Sequence, residues 1–87
     1  MMTAEAAYIN ILNDMHRIRV TKDITLRSLS ERLNSASIGH LCMIENGKTD
    51  ARLTTFLRIL DRLDSTLVVV PYNKISDVEG AINNVSK

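Results

Sequence analysis

The sequence predicts a mainly α-helical fold, a bundle of about four helices followed by one short β-strand. Three observations carry this expectation. Apolar residues recur at steps of three and four along most of residues 4–63, and small hydroxyl residues stand where helices would start. Strand composition, a run of β-branched residues closed by proline, occurs only in "STLVVVP" at 65–71.

Each element follows from its own residues. Tyr8, Ile11, Leu12, Met15 and Ile18 mark one face of a helix over 4–20, which "TKD" at 21–23 interrupts. Thr25 can cap a second helix with Leu26, Leu29 and Leu33 inward. Ser37 can cap a third with Leu41 and Ile44 inward, and Gly47 stops it. A fourth helix is expected over 53–63 with Leu53, Phe56, Leu57 and Leu60 on its buried stripe. After the strand, Ser76 followed by Glu79 matches a capping box and predicts a short helix over 77–84. No repeat or linker divides the chain: 1–64 reads as the helical bundle and 65–87 as a strand and tail, within one structural domain.

Composition narrows the function classes. A chain of 87 residues with 45% hydrophobic content suits one compact domain with a modest core and leaves little room for a large catalytic cleft. No apolar run approaches the roughly 20 residues of a membrane span. The start "MMTAEAAYINIL" lacks the basic flank of a signal peptide, and the single cysteine, Cys42, cannot form an internal disulfide, so a cytoplasmic protein is expected. The formal net charge is only +1, but 16–58 carries an excess of +4 and the remainder −3, which permits phosphate binding by the middle of the chain. A solvated surface with a chance excess would have the same charges.

Enzymatic readings are weak. Cys42 is the candidate nucleophile, and His40, two residues away on a helix, projects from a different face. His16, His40 and Cys42 do not make a zinc spacing. The sequence therefore names no catalytic residue, no metal and no cofactor.

The third helix poses the question that decides the function. Its outward positions are Ile38, Gly39, His40 and Met43, where charged residues usually stand. The run "ITLRSLSERL", a short turn, then "SIGHLCMIENGK" resembles the helix-turn-helix of the Xre or Cro/lambda-repressor-like DNA-binding domains. The resemblance covers residues 8–64 and rests on the two capped helices and the closing "IENGK". It implies a lambda-repressor-like bundle whose third helix enters the major groove of double-stranded DNA while the second crosses the backbone.

Under that resemblance Ile38, Gly39, His40 and Met43 are the base-reading positions. Aliphatic side chains there, in place of the polar ones common in the family, would contact thymine methyls, and Gly39 would let the helix approach closely. His40 could donate to a phosphate or accept from a base; the plain alternative is a solvated histidine. For Ile38 and Met43 the alternative is a patch that binds a partner or is partly buried. Phosphate contacts are implied for Arg27, Ser37, Asn46, Lys48 and Arg52, with ordinary surface charge as the alternative for the cations. Leu26 departs from the glutamine often found at its position, which removes one backbone contact, and the turn around Asn34 to Ala36 is one residue longer than usual. Glu45 would repel phosphates and needs a cation; Arg19 matches the arginine that pairs with this glutamate in the similar repressors.

Two functional classes follow. One is a sequence-specific, dimeric transcriptional regulator, a repressor that occupies paired half-sites of a palindromic operator. The alternative is the antitoxin of a toxin–antitoxin pair, since "RLTTFLRILDRLDSTLVVVP" more loosely resembles HipB-type antitoxins, whose partner is a toxin protein. Leu67, Val68, Val69 and Val70 have no strand to pair with in their own chain, so a homodimer joined through these segments is expected.

Overall fold

The computed structural model describes residues 3–34 and 37–72. Among them are four helices: α1 (Ala4–Thr21), α2 (Leu26–Leu33), α3 (Ile38–Glu45) and α4 (Leu53–Asp61). The expected helix over 77–84 and residues 35 and 36 of the long turn lie outside the described residues.

Hydroxyl caps start the first three helices. Thr3 accepts from the Ala6 amide at 3.1 Å, Thr25 from Ser28 at 3.0 Å and Ser37 from His40 at 3.0 Å. Each satisfies an amide that the helix leaves without a partner, worth about 1 kcal/mol against alanine. The stops share one device, a residue in the left-handed region: Asp23 at φ 57°, Asn34 at 62°, Gly47 at 72° and Asp64 at 56°. After α3, the Gly47 amide bonds Ile44 O at 3.1 Å and the Lys48 amide bonds Met43 O at 2.9 Å, the paired bonds of a Schellman motif. Asp23 with Ile24, and Asp64 with Ser65, close α1 and α4 with the same pattern. Aspartate and asparagine tolerate this conformation better than other residues with a side chain, which lets the chain turn where no glycine is present.

The core joins all four helices. Leu12 and Met15 of α1, Leu29 of α2, Leu41 and Ile44 of α3, and Phe56, Ile59 and Leu60 of α4 are buried, together with Ile24 and Leu63 from the connecting turns. Tyr8 meets Phe56 edge to face, ring centres 6.0 Å apart, and fixes α1 against α4. No helix in the described residues is long and apolar enough to cross a membrane.

Two expectations are corrected. In α4 the buried stripe is Phe56, Ile59 and Leu60, continued past the helix end by Leu63, whereas Leu53 and Leu57 are exposed. At about 100° per residue, Leu57 lies well to one side of the stripe's centre. Leu53 opens the helix, and its side chain leans toward the N-terminus, past the end of the core. The second correction concerns Leu67 to Val70: the described residues contain no β-strand. A strand is stabilised by its ladder, and the described residues contain no second strand to provide one. Val69 is consequently 99% exposed, and Leu67 alone of the four packs against the core cluster.

Candidate nucleic-acid interface

The two faces of α3 are built for different tasks. Leu41 and Ile44 anchor its inner face, with Ile44 fully buried, and α3 packs on both α1 and α2. Between them the helix turns Ile38, Gly39, His40 and Met43 outward. Ile38 is 38% and Met43 45% exposed, so two large apolar side chains face solvent in the first turns of one short helix. A Cβ built on Gly39 would meet nothing within 4 Å, so no neighbour among the described residues requires a glycine there. His40 is exposed and gives its backbone amide to the Ser37 cap.

The end of α3 is fixed by charge. Arg19 Nε bonds Glu45 Oε2 and Arg19 Nη2 bonds Glu45 Oε1, both at 2.9 Å, the two-pronged geometry that suits guanidinium and carboxylate. Its remaining arm donates to the Ile24 carbonyl at 2.7 Å, so one side chain ties α1, the α1–α2 turn and α3 together. The two side chains are only 12% and 9% exposed. His16 of α1 adds a bond from Nδ1 to Glu45 Oε1. The carboxylate carries no proton, so Nδ1 is the protonated ring nitrogen. Burial pushes the Glu45 carboxyl up, but the hydrogen bonds and positive charge of Arg19 and His16 outweigh it and hold the group below the usual glutamate range. The cluster also neutralises the one acidic side chain of α3 next to the exposed surface.

His16 was not legible as a member of this cluster. It stands three residues before Arg19 on the same helical face, and that spacing is the signal that could have identified it.

The polar residues expected at phosphates stand at or next to the ends of α2, α3 and α4. Ser37 is its N-cap. Asn46 is its C-cap, with Nδ2 directed at Cys42 Sγ at 3.3 Å. Lys48 follows the Schellman turn and is exposed. Gly47 is favoured there by its positive φ, while a Cβ would make only an ordinary contact with Leu12 at 3.4 Å. Arg52 is the N-cap of α4 and makes no side-chain cap bond. A cation at the positive end of a helix breaks a local preference, since the dipole there favours an acid or a neutral hydroxyl. Arg27 is exposed in the first turn of α2, which contacts both α3 and α4. Comparisons with protein-family models, with curated proteins and with solved structures return no match.

Proposed function

We propose that the chain is a sequence-specific DNA-binding regulator that presents α3 to the major groove. The observation that carries this reading is the outer face of α3. Ile38 and Met43 are exposed there beside an unobstructed Gly39, on a helix whose inner face and C-terminal end are held by the core and by Arg19 and Glu45. Holding a pair of exposed apolar side chains rigidly gains the fold nothing, whereas it suits direct contact with thymine methyls.

The polar groups support the same reading. Ser37 and the α3 start, Asn46 and Lys48 after its end, and Arg52 and the α4 start offer hydroxyl, amide, ammonium and guanidinium groups to phosphates. Arg52 at a helix start is costly in an isolated fold, and an anion shared between the guanidinium and the first amides of α4 would remove that cost. The regulator acts as a homodimer in which Leu67 to Val70 pair antiparallel with the same segment of a second copy, supplying a ladder that the described residues of one chain do not contain. A two-fold axis of this kind matches a palindromic operator with half-sites about one turn, roughly 34 Å, apart.

The test is selection of bound duplexes from a random pool at stated salt with competitor DNA. Enriched palindromes with A·T pairs near the half-site centres are expected. G-rich sites would remove the apolar readout, and the absence of any enriched site would remove DNA reading altogether.

A further inference from the structure

A groove of about 450 Å³ lies between α1 and the segment that follows α4. Ile11, Met15 and Ile18 of α1 form one wall, Leu60 the floor, and Ser65, Thr66 and Leu67 the other wall. Asp14 and Arg17 stand on the rim, bonded to each other at 2.9 Å. The groove is thus apolar inside, with a rim whose charges cancel.

The chain that forms one wall continues as Val68, Val69, Val70, Pro71 and Tyr72, and Tyr72 is 57% exposed. Register decides where this continuation goes in a dimer. If Leu67 to Val70 pair antiparallel about a two-fold, Leu67 faces Val70 and Val68 faces Val69 of the second copy. Two further steps along the same register set Thr66 against Pro71, and Ser65 against Tyr72, of the second copy. Residues opposite each other across such a ladder have Cβ atoms about 5 Å apart, well within the reach of an aromatic ring. The ring therefore arrives over Ser65, beside Ile11, Ile18 and Leu60.

We infer that the groove is the seat for the Tyr72 ring of a second copy, so that each dimer contains two reciprocal Tyr72–groove contacts flanking the ladder. The inference rests on the dimer reading above and specifies its contacts. The neutral rim accepts an identical molecule without repulsion, and the Asp14 carboxylate offers an acceptor to the Tyr72 hydroxyl. Area argues in the same direction: stable interfaces bury at least about 1,200 Å² in total, more than a four-residue ladder supplies. Each seated aromatic adds about 150–250 Å². Pro71 has no amide to donate, so the hydrogen-bonded ladder ends with Val70, and the strand direction alone carries Tyr72 on to Ser65 of the second copy.

The experiment uses the full chain and reads self-association by sedimentation. Tyr72→Ala is expected to weaken dimerisation about 30-fold or more, since it removes two seated aromatic anchors from each dimer, while Tyr72→Phe stays near the parent. In a Cys42→Ser background, Asp14→Cys copies mixed with Tyr72→Cys copies should form a disulfide-linked pair under mild oxidation. Both altered positions are exposed, so the fold tolerates the changes. A dimer that keeps parental affinity in Tyr72→Ala and gives no cross-link overturns the seat and leaves the paired strands standing. A parent chain that sediments as a monomer overturns both.

Discussion

The inner and outer faces of α3 belong to the same eight residues and obey opposite rules. On the inner side every group has a partner within the chain: Leu41 and Ile44 are in the core, and Glu45 receives Arg19 and His16. On the outer side Ile38 and Met43 face solvent, and Gly39 has empty space where a side chain would fit. The inner face is explained by stability alone. The outer face is not, and residues that a fold does not require are where function is to be sought.

That contrast can be broken first from the inside. Arg19→Ala leaves the nearly buried Glu45 with only the His16 contact of the cluster and frees the Ile24 carbonyl, so a loss of about 3 kcal/mol in unfolding free energy is expected by denaturant titration. A change below about 0.5 kcal/mol would mean that the pair does not hold α3. Outer-face changes should cost the fold little and act on DNA. Met43→Gln is expected to change the preferred bases by about 1–3 kcal/mol of discrimination while the melting temperature stays put. Lys48→Ala and Arg52→Ala should weaken binding to all sequences alike and each lower the log–log salt slope by about one. Gly39→Ala is expected to stabilise the helix by about 0.5–1 kcal/mol, because alanine is the better helix former and nothing obstructs its methyl. The same change should weaken DNA binding if close approach is why glycine is there.

Acid sharpens the comparison further. The folded Glu45 carboxyl holds its proton less tightly than an unfolded glutamate. Its contribution to stability is therefore fully present above the unfolded value of about 4.3 and is lost as pH falls through the lower folded value. Parent and Glu45→Gln melting profiles should differ above that range and converge in acid. Parallel profiles down to acid would show that the carboxylate contributes nothing through its charge.

Local rules explain what the sequence disclosed and what it withheld. The caps Thr25 and Ser37 were legible because a hydroxyl before an apolar period has a short-range reason to be there, and both accept the amide expected of them. The Arg19–Glu45 contact was anticipated from resemblance alone, since 26 residues separate the two and no local spacing joins them. In α4, counting steps of three and four puts Leu53 and Leu57 on the buried stripe and omits Ile59 and, past the helix end, Leu63, because step counting does not locate the edge of the core. The left-handed stops at Asp23 and Asp64 were hidden for another reason: aspartate signals such a turn more weakly than glycine. The strand at Leu67 to Val70 has the right composition, but composition does not provide a ladder, and the described chain holds no partner for one.

The most direct measurement compares duplexes selected by the parent chain with those selected by Met43→Gln under identical salt and competitor. One palindromic site is expected for the parent, altered at the base pairs under Met43 in the variant, with unfolding free energies of the two proteins equal within about 0.5 kcal/mol. Identical selected sites from two equally stable proteins, or no enriched site from either, would contradict the claim that the outer face of α3 reads DNA.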